Sequence, residues 1–265
     1  MCSRWKRILL GVHMIKFIIL FLTLVSSSYG EEYYSYNDDT QQCENNKGEI
    51  GHNTIKRYGR ISECSDLTKV KIGFLLRRRI GREDILKGLL LEKANFTKGK
   101  LSKKEIVGVK ASYSNFNQTT IKRSRLSFSE FKGTFAQNIT FKEVQISNTD
   151  FSNALLRRSN FQETTIYESD FSGANLKHAV FNKVEIKNSK FLKSNMKHVD
   201  LKDAILIDCD FSGSNLINAD LRGADLSTSN LDDTTLYGAL INRETRLPFS
   251  LDVAIKKFSM KLKSN

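Results

Sequence analysis

The stretch SNLIN ADLRG ADLST SNLDD TTLYG, residues 214–238, repeats every five residues, with a small residue first and leucine third in each unit. The same register runs without a slip from Ala94 to Gly238, which makes 145 residues or 29 units. The third position is Leu, Ile, Phe or Met in 27 of the 29 units, and only Ala111 and Ala136 depart. A period of five fits neither a helix, which repeats at about 3.6, nor a strand, which repeats at about 2, so it predicts a solenoid.

The two apolar positions predict how each unit forms one side of a coil. The first residue is Ala, Ser, Thr, Val, Cys or Gly in all units except those that begin with Lys104 and Ile139. We expect the large third residue to fill the core and the small first residue to face inward where the wall turns. The remaining three positions are mostly polar and are expected to face water.

A second period, of twenty residues, predicts four sides per coil. Similar side chains recur at this spacing, and stacking them about 4.8 Å apart, as neighbouring strands are, gives good packing. The predicted columns are Phe131, Phe151, Phe171, Phe191 and Phe211; Phe141, Phe161 and Phe181; Ile146, Ile166 and Ile186; and Leu156, Leu176, Met196 and Leu216. The same spacing argues against a three-sided helix.

These units resemble the pentapeptide-repeat proteins, whose consensus is A(D/N)LXX. The units ADLRG (219–223), ADLST (224–228), ANLKH (174–178) and SNLIN (214–218) match it almost letter for letter. The resemblance implies an all-β fold, a right-handed quadrilateral β-helix. One branch of the family mimics DNA with an acidic rod that occupies topoisomerase. That role is disfavoured here because the repeat region is not acidic and because we expect the protein to be exported, as the next paragraph argues.

The first thirty residues have the pattern of an export signal. Basic residues up to Lys16 precede the apolar run Phe17–Val25, and Ser28 and Gly30 supply the small residues of a cleavage site. This apolar run is too short to cross a bilayer, which takes about 20 residues. We expect a cleaved signal and an exported protein, periplasmic, envelope-associated or extracellular; the alternative is an uncleaved N-terminal membrane anchor.

Both ends of the repeats need covers, because open coil edges promote aggregation. Ser250 is a candidate N-cap for a short C-terminal helix, with Leu251, Ile255, Phe258 and Leu262 on one stripe. Residues 72–94 are expected to form a helix or a first coil that closes the other end; the alternative is an amphipathic segment on a membrane surface. The predicted organisation is a signal peptide (1–30), a polar and basic region with the N-terminal cap (31–93), the β-helix (94–243) and a capping segment (244–265).

The net charge of +13 is concentrated near the two ends of the chain. Residues 51–110 carry +10 and residues 241–265 carry +4, whereas residues 111–240 are neutral overall. A neutral middle does not suit a protein that grips a nucleic acid along its length, so no nucleic-acid partner is expected. We expect a protein partner. The alternatives are an anionic polymer or lipid bound by residues 56–104 and the tail, and self-association through the coil ends.

Two adjacent columns, each of three side chains spaced twenty residues apart, are expected to form a basic ridge on one side. His178 and His198 hold the fifth position of their units, with Arg158 below them and Asn218 above. A shared metal ion is disfavoured, since the neighbouring arginine is cationic. The ridge is a candidate surface for an anionic partner, although a solvated face is the simpler interpretation. It comprises Arg157, Arg158, Lys177, His178, Lys197 and His198.

Export would favour oxidised cysteines in the region that precedes the repeats. Cys43 and Cys64 flank a polar, glycine-containing stretch and are candidates for a disulfide worth about 3 kcal/mol. Free thiols are the alternative, while a metal or redox role lacks the usual paired ligands. Cys209 occupies an inward first position and is expected to be a small apolar filler.

Two further groups of polar residues recur along the repeats. The carboxylates of Glu130, Asp150, Asp170 and Asp210 share one column, interrupted by Lys190. Paired carboxylates can perform acid–base catalysis, but a flat-sided rod offers no pocket to exclude water, so we expect no enzyme, cofactor or metal site. The N-x-T triplets at Asn95, Asn117 and Asn138 face outward and would accept glycans only in a cell that glycosylates exported proteins.

Overall fold

The structure is a computed structural model that describes residues 35–37, 39–44, 49, 53–54, 65–66 and 85–263. The predicted export signal, Cys64, most of the basic segment before Ile85 and residues 72–84 of the predicted N-terminal cap lie outside the described residues. The repeats lie wholly within them.

The repeats form very short parallel strands, because each unit gives only about three residues to one side before the chain turns. Each strand pairs with the strand twenty residues away, as in Ile146 opposite Ile166 and Ile166 opposite Ile186. One helix is described, α1, Leu251–Phe258. The strands are β1 Ser35–Asn37, β2 Gln42–Glu44, β3 Asn53–Thr54, β4 Ser65–Asp66, β5 Ile85–Lys87, β6 Lys100–Ser102, β7 Glu105–Val107, β8 Thr120–Lys122, β9 Arg125–Ser127, β10 Thr140–Lys142, β11 Gln145–Ser147, β12 Thr165–Tyr167, β13 Glu185–Lys187, β14 Ile205–Ile207, β15 Leu240–Ile241 and β16 Lys261–Leu262.

Four parallel ladders run along the repeats, one on each side. A seven-stranded sheet, β5-β7-β9-β11-β12-β13-β14, covers one side, and β6, β8 and β10 begin a second. Single bridges twenty residues apart form the other two, such as Asp150 with Asp170 and Asn175 with Asn195. Before the repeats, β1 pairs with β2 antiparallel and β3 with β4 in parallel. The predicted all-β, four-sided β-helix is therefore confirmed, with about 9 turns.

The core consists of the predicted columns. Phe151, Phe171 and Phe191 are fully buried, with successive ring centroids 5.0 and 5.1 Å apart. Phe161 and Phe181 stack at 4.4 Å in the neighbouring column. Rings of the two columns meet edge to face, the arrangement that aromatic quadrupoles favour. Stacking like on like lets one side-chain shape fill the interior at every level.

The small first residues also tie successive coils together. The hydroxyl of Ser129 accepts the backbone N–H of Val109 at 3.0 Å and donates to the carbonyl of Ser127 at 2.8 Å. The hydroxyl of Thr119 donates to the carbonyl of Phe96, in the coil below, at 2.9 Å. In these units serine and threonine satisfy buried backbone groups as well as fitting the narrow wall, whereas the buried hydroxyls of Ser159, Ser194 and Ser214 have no partner among the described residues.

The corners require a backbone conformation that the repeat pattern does not reveal. The fifth residue of nearly every unit has a positive φ, for example 60° at His178 and 67° at Gly213. Non-glycine residues pay about 1 kcal/mol or more for this left-handed conformation. The inter-coil hydrogen bonds, repeated at each level, hold these residues in it.

The coil continues on the N-terminal side of Ala94. Strand β5 pairs with β7, and Leu89 and Leu91 are buried in the same core. Residues 72–94 were expected to form a helix or a first coil, and from Ile85 onward the structure shows a first coil. Residues 72–84 stay outside the described part of the chain.

The C-terminal cap contains the predicted helix, but the helix is shorter than its apolar stripe suggests. Ser250 is the N-cap, and its side chain accepts the N–H of Val253 at 3.4 Å. The helix ends because Ser259 adopts φ 52°, after which the N–H of Met260 donates to the carbonyl of Ala254 at 3.2 Å.

The end of the helix changes which residues cover the core. Met260 turns inward and is buried, and β16 pairs with β15 on the last coil. Leu262 therefore lies in a strand and is half exposed, and Ile255 is also exposed. The expected stripe through these two residues is wrong, because the chain reverses at Ser259 and continues as a strand.

Candidate functional site

The basic ridge lies on the side of the β-helix whose units begin at residues 94, 114, 134, 154, 174, 194, 214 and 234, here called the ridge face. Single bridges connect its levels, including Leu155 with Asn175 and Asn195 with Asn215. The second and fourth residues of each unit flank the buried third residue and therefore point outward on the same face. The fifth residue stands at the corner beside them.

The structure brings all six ridge residues together. Backbone N–H groups of Arg158, His178 and His198 each donate at 3.0 Å to the next coil. The imidazole rings of His178 and His198 stack with centroids 4.9 Å apart and planes 13° apart. Arg157 and Arg158 are exposed, whereas Lys177 and Lys197 are half-buried. The ridge charges are therefore held at fixed positions by the backbone.

The electrostatic field of the ridge acts on its own histidines. Desolvation lowers the pKa of His178 below its usual value, and the nearby charges of His198, Lys177, Arg158 and Arg157 lower it further. Protonation of the imidazole is therefore less favourable than in a free histidine. An anion bound at the ridge would reverse this effect, since an opposite charge favours the protonated ring.

Carboxylates are absent from the entire ridge face between Ala94 and Gly238. Its eight units read ANFTK, SNFNQ, TFAQN, ALLRR, ANLKH, SNMKH, SNLIN and TTLYG, with no Asp or Glu and 5 Lys or Arg. The other three sides mix both signs, and ion pairs form there, such as Arg123 with Glu143 at 3.0 Å. The ridge face is therefore the one side with a single sign of charge.

An apolar patch adjoins the ridge and was missed by the sequence analysis. Phe135 and Leu155 occupy outward second positions at adjacent levels and are bridged to each other. Phe135 is 45% exposed, and Leu155 lies beside Arg157 in the same unit. Large apolar residues at the second position of TFAQN and ALLRR were the available signal. Together, the patch and the ridge form one continuous apolar and basic surface.

The carboxylate column has a structural use. Asp150 and Asp170 each accept the backbone N–H two residues later, at 2.7 Å, and Asp210 accepts that of Ser212 at 2.9 Å. Asn95 and Asn115 make the same bond in other units. The Asp or Asn of the repeat therefore closes the turn that follows it.

The cysteines occupy two different environments. Cys43 is disulfide-bonded and packs with its Sγ 3.4 Å from the carbonyl oxygen of Gly88. Its predicted partner, Cys64, lies outside the described residues, so the pairing stays a prediction. Cys209 is buried in the core, and burial raises the pKa of its thiol to about 11. That thiol stays protonated at neutral pH and is a poor nucleophile.

The three N-x-T asparagines all lie on the ridge face, at successive levels below the ridge. The side-chain oxygen of Asn95 accepts from Thr97, and that of Asn117 accepts the N–H of Gln137 at 2.7 Å. Asn138 is exposed at a corner.

Over the stretches that the structure describes, no three His, Cys, Asp or Glu side chains gather closely enough to hold a metal ion. Nor does any described helix have the length and apolar character needed to span a membrane.

Comparisons with known proteins agree with this architecture. A family model described as a pentapeptide repeat region matches residues 122–191, and one described as pentapeptide repeats (8 copies) matches residues 194–233. No curated protein matches the chain significantly.

Several solved structures are similar in fold. One is a trypsin-treated form of QnrB1, a plasmid-mediated fluoroquinolone resistance protein, at 16% identity and TM-score 0.50, covering 57% of this chain and 78% of that chain. Another is a pentapeptide repeat protein from Nostoc PCC 7120, at 27% identity and TM-score 0.27, covering 43% of this chain and 84% of that one. A third, from the Arabidopsis thaliana thylakoid lumen, has 22% identity and TM-score 0.31, covering 42% and 74%. The likeness to QnrB1, at 16% identity, shows the fold alone.

Proposed function

Because the chain is a pentapeptide-repeat protein, we propose that its β-helix is an exported, non-enzymatic scaffold that binds an acidic segment of a protein partner through the ridge face. The export part of the proposal rests on the sequence of residues 1–30. The binding part rests on a single observation, the absence of carboxylates from the face that carries the ridge and the apolar patch.

The geometry suits an extended acidic segment that runs along the rod axis. Arg157, Lys177 and Lys197 stand at the same position of three successive levels, so their charges repeat at about strand spacing. Carboxylates of the partner would pair with them while an apolar side chain packs on Phe135 and Leu155. Since the inter-coil hydrogen bonds already order this face, binding loses little conformational entropy in the scaffold.

Charge reversal of the ridge tests the proposal. In the variant with Arg157, Arg158, Lys177 and Lys197 all changed to Glu, we expect loss of the crosslinked partner in a pull-down from the native envelope or secreted fraction. A matched control carries the same net charge change on other sides, at exposed positions. The control residues are Lys122, Lys132, Lys183 and Lys193.

The control variant should retain the partner, because it leaves the ridge face unchanged. If the ridge variant folds, as judged by its circular dichroism, and captures the same proteins as the parent chain, the ridge is not the binding surface. If both variants lose the partner equally, only overall charge matters.

A second candidate function is binding of the cap to an anionic lipid surface or polymer. On the outer surface of the C-terminal cap, Val253 and Ile255 are exposed beside lysines. Such a mixture of apolar and basic side chains suits a membrane surface. The cap lysines, all exposed, are Lys256, Lys257, Lys261 and Lys263.

Vesicles distinguish the two candidates. If the cap binds lipid, the chain should sediment with phosphatidylserine vesicles at low salt, release at high salt, and lose binding when the four cap lysines become Gln. The ridge variant should bind these vesicles as the parent does. Capture of one defined protein that is lost in the ridge variant and kept when the four cap lysines become Gln would instead favour the scaffold. A DNA-mimic role is disfavoured, because the repeat region is not acidic and the ridge places positive charge on three levels of one side.

A further inference from the structure

The last coil has a strand edge, at residues 229–233, that the C-terminal cap leaves open. On two sides the cap continues the ladder: the N–H of Leu226 donates to the carbonyl of Arg246 at 2.8 Å, and the N–H of Lys261 donates to that of Ala239 at 2.8 Å. On the side formed by residues 229–233, the chain instead leaves the coil at Pro248 and enters α1. A groove of about 670 Å³ takes the place of the next strand.

Three backbone groups at this groove have no hydrogen-bond partner among the described residues. In every lower coil on this side, the third and fifth residues of a unit donate upward, as Phe211 does to Asn230 and Gly213 does to Asp232, each at 2.9 Å. The equivalent groups of the last coil are the N–H groups of Leu231 and Asp233. Neither donates to a described residue, and the carbonyl of Ser229 accepts from none. Their spacing is that of an unpaired parallel strand edge.

The residues that line the groove favour two kinds of side chain in a bound segment, one apolar and one basic. Phe249 and Phe258, whose rings stack at 4.9 Å, form an apolar side where an inward-pointing side chain of an added strand would lie. Asp232 and Asp233 line the outer side and are both exposed. Among the described lining residues these two carboxylates face a single cation, Lys257, so the outer side next to Asp232 favours a basic side chain.

We propose that this edge binds an extended segment of a partner protein as an added parallel strand. The segment places one apolar residue against Phe249 and Phe258 and a lysine or arginine next in sequence, above Asp232. The residue before the apolar one donates its N–H to the carbonyl of Ser229 and accepts from Leu231. This mode of recognition uses main-chain bonds for affinity and side-chain pockets for specificity. It is independent of the ridge, which lies on another side.

The probe is the capped peptide acetyl-Ser-Asn-Phe-Lys-Lys-Gly-amide, whose Phe and first Lys match the two preferences. NMR-detected hydrogen exchange on the full chain should show unprotected amides at Leu231 and Asp233 without peptide. Millimolar peptide should protect both and leave the amide of Phe211, already paired, unchanged. The matched control peptide is methylated at the backbone nitrogen of its Asn, which removes the donor to Ser229. We expect it to bind roughly tenfold more weakly or worse.

Protein variants test the charge preference. Asp232→Asn with Asp233→Asn should weaken the lysine peptide several-fold, as exposed charge pairs do. Asp203→Asn with Asp208→Asn, which remove two carboxylates outside the groove, should leave binding unchanged. Equal binding of the methylated and unmethylated peptides would overturn the proposal. Protection of the Leu231 and Asp233 amides from exchange in the peptide-free chain would also overturn it. Protection that is independent of protein concentration would mean that the chain's own residues fill the groove. Protection that grows with protein concentration would mean that a second copy fills it.

Discussion

At the scale of single residues, one chemical requirement explains the second position of the repeat. A carboxylate or amide there accepts the N–H two residues later, as Asp170 does from Ser172 at 2.7 Å, and so closes the turn. Lys190 stands in the same column one level above and cannot accept such a bond. The column of carboxylates is therefore explained by turn formation, without any need for catalysis.

Substitution of Asp170 tests this explanation. Asp170→Asn keeps the acceptor and should leave the free energy of unfolding nearly unchanged, whereas Asp170→Ala should lower it by about 1 kcal/mol, the usual worth of one hydrogen bond. The measurement is chemical denaturation, with Lys190→Ala as the control that loses no acceptor. A D170N variant as unstable as D170A would mean that charge, and not the turn bond, matters at this column.

The pKa of His178 reports the field of the ridge. Desolvation and the neighbouring cations lower this pKa in the folded chain below its ordinary value of 6.5. The unfolded chain therefore takes up a proton first as the pH falls. The stability contributed by the neutral ring is present above about pH 6.5 and is lost as the pH falls below it.

An NMR titration of His178 checks the cause. Arg157→Gln with Lys177→Gln should raise the pKa of His178 towards its ordinary value, because two nearby positive charges are gone. Lys122→Gln, on another side, should leave it unchanged. A His178 that titrates identically in all three proteins would show that burial alone, without the ridge charges, sets its pKa.

At the scale of elements, the stacked phenylalanine columns hold the levels together. Phe171 lies in the middle of its column. Its ring stacks on those of Phe151 and Phe191 and meets the ring of Phe161 edge to face. Each level is thus packed against two others by side chains as well as by backbone bonds. Removal of one ring affects three levels at once.

Phe171→Ala should lower the free energy of unfolding by about 3–5 kcal/mol, because a buried ring leaves a cavity that the rigid coils cannot close. Phe128→Ala removes the same atoms from a side chain that is 45% exposed and should cost far less. Thermal or denaturant unfolding of both variants gives the comparison. Similar losses in the two variants would contradict a core made of stacked columns.

At the scale of the whole molecule, the C-terminal cap covers one strand edge of the last coil with β16. Met260 is buried against the core and places β16 alongside β15. If this contact is lost, the side formed by β15 becomes an open strand edge in addition to the edge at residues 229–233.

Met260→Lys should therefore cause self-association that increases with protein concentration, since a lysine cannot remain buried there without a partner. Leu262→Lys, two residues later at a half-exposed side chain, should leave the association state of the parent chain unchanged. Sedimentation velocity over a range of concentrations measures both. A Met260→Lys variant that behaves as the parent does would show that the helix alone is a sufficient cover.

Much of the architecture could be predicted from periodicity, because burial acts on every unit alike. The five-residue and twenty-residue periods identified the inward residues, the four sides and the residues that share the ridge, since only a core of matched side chains sustains such a repeat. The left-handed corners at residues such as His178, and the turn bonds of the second-position Asp and Asn, escaped prediction. The corners arise from a backbone geometry that many side chain types adopt, and the turn bonds depend on how the second-position side chain meets the N–H two residues later.

By itself, the sequence determined the coil, because one large and one small inward residue in every unit leave the chain a single way to bury both. Only the tertiary structure decided which residues adjoin the ridge on the surface and how the chain covers the C-terminal end of the β-helix. Phe135 and Leu155 join the ridge because levels twenty residues apart are bridged, and the helix stops at Phe258 because Ser259 turns the chain back onto the last coil. The open edge at residues 229–233 follows from that turn, since it depends on where the cap passes and on no local pattern of residues.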